Sequence, residues 1–148
     1  VGSEMCIRDR YDGDNYTENY YKDLLDANKN IIISSPAISG QKVYELINML
    51  KEKQASGVQI TIVTWTPDSY GFGDAAYWMQ LHEDMCKAGF YIKTVEESCE
   101  RFAVIDQEVV WYGNINLLAK TKVDDSIMRV LSNEIAGELM EITFGDNS

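Results

Sequence analysis

The sequence of 148 residues is poor in several things: it has 2 prolines, 3 cysteines and 1 histidine. So few prolines, with 10 glycines, predict mostly regular structure and little low-complexity linker. The cysteines are odd in number and widely spaced, with no CxxC pair. That argues against a disulfide framework or a zinc site, and predicts a cytoplasmic protein with reduced thiols. No apolar run reaches the roughly 18–20 residues that a membrane helix needs. The longest candidates, Ile31–Ile33 and Val58–Trp65, are strand-sized. No charged-then-apolar leader resembles a signal peptide, and no membrane partner is expected. Positive charge is scarce too: 13 Lys and Arg face 24 Asp and Glu, a formal net charge of −11. Binding to phosphates relies on Lys and Arg, so this is not the footprint of a non-specific nucleic-acid binder. A phosphate site in a local pocket remains compatible with it, because pocket charge and total charge are separate quantities.

Hydrophobic residues make up 45% and charged residues 25%, the proportions of an ordinary globular chain long enough for one domain. The first ten residues, VGSEMCIRDR, fit poorly with the rest of the chain. The stretch from Glu4 to Arg10 reads like a translated sequencing adapter joined to a truncated reading frame, or else a short disordered tail. The domain is therefore expected to span residues 11–148, the natural protein to continue upstream, and Cys6 to carry no argument.

Periodicity predicts a helix over Tyr16–Asn28, with Tyr20, Leu24 and Ala27 inward. The strand Asn30–Ser35 is continuously apolar, as strands buried on both faces are, and Pro36 ends it. Ser39 can cap a helix to about Ala55 with Val43, Leu46, Ile47 and Leu50 on one face, closed by Gly57. Val58–Trp65 is the second strand and residues 66–74 a loop. A helix over Ala75–Ala88 points Trp78, Leu81 and Met85 inward, and Phe90–Val95 is the third strand. Arg101–Ile105 and Val109–Tyr112 then form a hairpin around Asp106-Gln107-Glu108. Ser126–Leu131 is a further strand. Ser132 can cap a last helix, Asn133–Phe144, with Ile135, Leu139 and Ile142 facing the core. This order predicts an α/β sandwich with a mixed, mostly parallel sheet flanked by helices.

The informative segment is Cys99–Leu118, CERFAVIDQEVVWYGNINLL. It resembles the signature of the phospholipase D superfamily, in which a His is followed two residues later by a Lys and five beyond that by an Asp. A GSxN-like turn comes on the next strand. The positions here read Cys99, Arg101 and Asp106, then Gly113-Asn114-Ile115-Asn116, with the family's His-to-Asn interval kept. Trp111–Leu118 and Asp124–Val130 are similar to phospholipase D-like modules accompanying superfamily 2 helicase and restriction-type ATPase regions.

The resemblance implies phosphate chemistry. The family's His attacks phosphorus, a second His from a paired domain protonates the leaving oxygen, and Lys and Asn hold the non-bridging oxygens. It implies no metal or cofactor. It also implies a partner, a second phospholipase D-like domain supplied by a homodimer or by an upstream region, with nucleic acid reached through a full-length protein.

The departures fall at the chemistry. Cys99 stands for the His and Arg101 for the Lys, although Arg can still bind phosphate through two parallel donors. Asn114 stands for the Ser of the turn. The carboxylate expected to orient the His, eleven residues after Asn116, falls on Ile127, with Asp124 and Asp125 nearby. A degenerate recognition or assembly module, an active phosphodiesterase or nuclease, and a ligand-free dimerisation module all fit this pattern.

Several residues carry two readings. Cys99 is either a thiolate nucleophile or a non-catalytic thiol. Arg101 and Asn116 are either phosphate ligands or an Arg–carboxylate pair and a turn-stabilising Asn. Asp106 is most simply a turn residue. His82 reads as a surface or boundary residue of its helix, or else as an alternative nucleophile. Trp65, Pro67, Tyr70, Phe72 and Trp78 form either a stacking rim or a small apolar core.

Overall fold

Ile31, Ile32 and Ile33 are buried on both faces of a sheet, as their unbroken apolar run requires. The computed structural model describes residues 8–66, 75–96, 100–119 and 125–144. Its elements are β1 (Arg8–Asp12), α1 (Thr17–Leu25), β2 (Asn30–Ser34), α2 (Gly40–Ala55), β3 (Gln59–Trp65), α3 (Ala75–Lys87), β4 (Tyr91–Val95), β5 (Phe102–Ile105), β6 (Val109–Gly113), β7 (Ser126–Leu131) and α4 (Asn133–Phe144). The strands form one sheet in the order β1-β7-β6-β5-β2-β3-β4.

The sheet is mixed and flanked by helices, as expected, and β5 and β6 pair antiparallel as the hairpin predicted. Its parallel share is smaller than expected: β2–β3 and β3–β4 are parallel, and the other four pairings are antiparallel. A parallel step needs a crossover, and only α2 and α3 supply one within the sheet. From β5 onward, consecutive strands pair antiparallel, β5 with β6 through a tight turn and β6 with β7.

A second difference lies at the start. Arg8–Arg10, expected in a tail outside the domain, form most of β1 and pair with β7 from Arg8↔Val130 to Asp12↔Ser126. Their charged sequence has little strand propensity, and the pairing rests on the main-chain groups that β7 offers along its outer side. Tyr11 fixes the register by resting its ring 5.2 Å from that of Trp111.

Helices α1, α2 and α3 cover one face. Tyr16, Tyr20, Leu24, Val43, Leu46, Leu50, Leu81 and Met85 fill the core beneath them, with Trp78 packed at its margin. Ser39 caps α2 by accepting a bond from the Lys42 N–H at 3.4 Å. Gly57, at φ +110°, lets the chain leave α2 in a conformation that side chains disfavour.

The other face carries α4, capped by Ser132 through a 3.1 Å bond from the Ile135 N–H. Ala136 and Leu139 are buried against Ile32, Val104, Val110 and Val130, with Ile135, Met140 and Phe144 beside them. Ile142, expected in this core, is instead 67% exposed. The small Ala136 side chain lets the helix approach the sheet on its 136–139–140 side, which rolls Ile142 outward.

His82 is half-buried, with its Nε2 enclosed and without a hydrogen-bond partner among the described residues. Burial lowers its pKa from the ordinary imidazole value. Pro67, Tyr70 and Phe72 lie outside the described residues, and Trp65 is half-buried at the end of β3.

Candidate phosphate-binding site

The antiparallel register brings distant segments to one end of the sheet. Ser34 lies opposite Phe102, Phe102 opposite Tyr112, and Gly113 opposite Ile127. The ends of β2 and β6 and the beginnings of β5 and β7 therefore meet here. Arg101, just before β5, is exposed, and Asn116, three residues past β6, is half-buried. The Arg101 Nε–H donates to the Asn116 Oδ1 at 3.0 Å. Among the described residues, the two side chains thus hold each other. That bond uses Nε and the amide oxygen. The terminal guanidinium nitrogens and the amide Nδ2 can then act as donors toward one anion.

The turn that carries Asn116 is held closely. An ideal Cβ on Gly113 would lie 2.3 Å from the Ser126 carbonyl oxygen and 2.6 Å from the Ile127 Cα, so only glycine fits against β7. Asn114 continues the ladder beyond the strand. Its N–H donates to the Ser126 carbonyl at 3.0 Å, and its Oδ1 accepts the Ser126 N–H at 2.8 Å. Asn114 is thereby committed to the β6–β7 junction. Ile115, Leu117 and Leu118 are buried and anchor the turn in the core.

Ile127 is buried beside Gly113 as part of the main apolar core. Asp125 is half-buried, and its carbonyl accepts the Gly13 N–H at 3.0 Å. Cys99 and Asp124 lie outside the described residues. Glu100 accepts the Tyr112 hydroxyl at 3.0 Å, and that bond is the first cause of the raised Tyr112 pKa.

Asp106 is not part of this constellation. It sits at the far end of β5, a strand length of roughly 17 Å from Arg101. Its carboxylate accepts the backbone N–H groups of Asn28, Lys29 and Asn30 at 3.0, 2.7 and 3.2 Å. Asp106 and Gln107 have φ of 55° and 62°, the pattern of a type I′ turn, and the Glu108 N–H closes it onto the Ile105 carbonyl at 3.1 Å. The turn reading of Asp106 therefore describes its place, with an added task of capping the chain's entry into β2.

Two features escaped the sequence reading. Asp23 on α1 accepts the Trp111 indole N–H at 2.8 Å and the Arg129 Nε–H and Nη2–H at 2.6 and 3.1 Å. Trp111 and Arg129 are register partners on β6 and β7, so one carboxylate ties a helix to two strands. The other feature is the Ser34–Ser35 pair, whose only signal was two hydroxyls at the end of an apolar strand.

A phospholipase D-like fold is what this topology and its Gly113–Asn116 turn define. Residues 20–143 match the family model described as "Cardiolipin synthase, PLD-like domain", and the chain belongs to that family. Among solved structures it is similar to NucT from Helicobacter pylori, with TM-score 0.67 and 9% identity over 93% of this chain and 92% of that one. It is likewise similar to the phospholipase D family member Nuc from Salmonella typhimurium, with TM-score 0.67 and 14% identity over 93% and 90%. The archaeal chromatin protein TrmBL2 matches with TM-score 0.64 and 14% identity, over 93% of this chain and 49% of that one. A search of curated protein sequences finds no match. Among the described residues, no helix is long and apolar enough to cross a membrane.

Proposed function

We propose that this chain is a catalytically degenerate phospholipase D-like module that recognises a phosphodiester through Arg101 and Asn116. In this reading it forms half of a paired site with a second such domain, within a larger cytoplasmic nucleic-acid-processing protein. The observation that carries the reading is the 3.0 Å Arg101–Asn116 bond, which holds a guanidinium and an amide together at the sheet end where the family motif falls. A locked guanidinium presents its remaining donors in parallel, as a phosphate requires.

The missing chemistry supports the degenerate form. A His nucleophile is largely unprotonated at neutral pH and gives a phosphoramidate that a second acid can break. Cys99, flanked in sequence by Glu97 and Glu100, is expected to remain a protonated thiol. The orienting carboxylate is replaced by a buried Ile127. The likeness of Trp111–Leu118 and Asp124–Val130 to helicase-associated modules supports the larger context. A fold neighbour described by a novel mode of DNA binding is compatible with it.

The test pairs turnover with binding. The chain is expected to hydrolyse bis(p-nitrophenyl) phosphate no faster than background. It is expected to bind inorganic phosphate with a shift of the Arg101 Hε resonance that Asn116→Ala weakens. Turnover abolished by Cys99→Ser would make the protein a thiol-dependent phosphodiesterase instead. Phosphate binding that is absent, or indifferent to Arg101→Ala, would remove the recognition reading.

A further inference from the structure

We infer that Ser34 and Ser35 are positioning residues for the phosphate cradle, one fixing the chain that enters β5 at Arg101 and the other the turn that carries Asn116. The inference rests on the proposed role of that pair. Both serines are buried, at 1% and 0% exposure; Ser34 ends β2 after its three isoleucines, and Ser35 follows it. A buried hydroxyl is costly unless it is hydrogen-bonded, so their bonds carry the account.

The two neighbouring hydroxyls reach different segments of the chain. Ser34 Oγ donates to the carbonyl of Glu100, the residue before Arg101, at 2.5 Å. Ser35 Oγ accepts the N–H of Leu118, two residues after Asn116, at 3.3 Å and donates to the Ala37 carbonyl at 2.6 Å. The Leu118 carbonyl is taken by the Ser39 N–H at 2.7 Å, and Ile38 bridges Leu118 in parallel. Both main-chain groups of Leu118 are thus held by the segment between β2 and α2.

The Arg101–Asn116 bond spans two pieces of chain with no covalent link nearer than the β5–β6 hairpin. Adjacent hydroxyls, one ending β2 and one just past it, tether each piece to the buried core. Ser35 must both donate and accept, which no apolar side chain of its size can do. Without these tethers the two halves of the cradle keep their donors but lose their relative geometry. Two-point recognition of an anion weakens steeply with misalignment.

The experiment measures binding of inorganic phosphate to the full chain, as wild type and as Ser34→Ala, Ser35→Ala and Ser132→Ala. Ser132 caps α4 at the other end of the sheet and serves as a control of similar kind. Each cradle serine is expected to cost about five-fold in affinity, the scale of one hydrogen bond. Ser132→Ala is expected to lower the melting temperature and leave affinity unchanged. Unchanged affinity in both folded cradle variants, or an equal loss in Ser132→Ala, would overturn the inference.

A second readout is solvent exchange of the Arg101 Hε, expected to be faster in both cradle variants than in wild type and Ser132→Ala. If wild type binds no phosphate, the recognition reading fails, and this exchange decides the positioning role by itself. Equal Hε protection in all four proteins would sink it. Should Ser35→Ala fail to fold, the same two measurements on Ser34→Ala decide.

Discussion

Asp23 and Trp111, 88 residues apart, are joined by a 2.8 Å hydrogen bond from the indole N–H to the carboxylate. The same carboxylate receives Arg129, whose guanidinium lies 4.0 Å from Asp9 on β1. Tyr11 and Tyr20 place their rings 5.2 and 5.5 Å from Trp111, so the polar junction sits within an aromatic wall. Asp23→Ala leaves an indole N–H and a partly buried guanidinium without their acceptor. The expected loss is about 3 kcal/mol, read from denaturant midpoints. Asp23→Asn, which keeps an acceptor oxygen, is expected to lose less. A loss below about 0.5 kcal/mol for Asp23→Ala, the scale of an exposed ion pair, would show that the junction is screened by water.

The hairpin turn offers a prediction of opposite sign. Gln107 holds φ +62° where glycine is at ease, so Gln107→Gly is expected to stabilise the fold by about 1 kcal/mol. Asp106→Ala is expected to cost about 2 kcal/mol, because three backbone N–H groups lose their acceptor. Neither change is expected to alter phosphate affinity in the folded protein. A loss of binding in Asp106→Ala at full folding would return Asp106 to the site.

His82 gives a pH dependence with a defined sign. Its folded pKa is lowered from 6.5 by burial, so below pH 6.5 the unfolded chain takes up a proton that the folded chain resists. The contribution is fully present above about pH 6.5 and is lost as pH falls toward the folded pKa. As the sequence has 1 histidine, its imidazole resonances report one titration. Denaturant midpoints are expected to fall between pH 7 and 5 in wild type and to flatten in His82→Gln. An imidazole pKa at or above 6.5 would contradict the burial.

Restoring chemistry is expected to require several changes together. Cys99→His alone, and with Arg101→Lys, should leave bis(p-nitrophenyl) phosphate untouched. Activity should emerge only when Ile127→Glu is added, because such residues act as a unit. Ile127 is buried, so the added carboxylate also carries a desolvation cost, and melting curves must accompany the assay. Turnover in Cys99→His alone would show that the orienting group is supplied from elsewhere.

Much of the scaffold was legible because local signals agreed with the fold. The isoleucine run of β2, the caps at Ser39 and Ser132, and the hairpin around Asp106 each follow from short-range chemistry. β1 was not legible, since alternating charges carry no strand preference and the pairing depends on the side of β7, far along the chain. The role of Asp23 was not legible, because its partners lie far along the chain on β6 and β7. The site was half legible: motif spacing pointed to Arg101 and Asn116, but only the register brings them into contact. The roles of Ser34 and Ser35 depend on which strands flank β2, which composition does not encode.

Gly113 changes what a motif match can mean. Its lack of a side chain is demanded by the β7 backbone pressed against it, whether or not any phosphate ever binds. Asn114 and Asp106 are likewise occupied with main-chain groups. Three positions of the signature are therefore witnesses to architecture, and a chain could keep all three while losing its reaction. Testimony about chemistry comes from the remaining positions, 99, 101 and 116, where this protein departs from the family pattern twice and keeps it once.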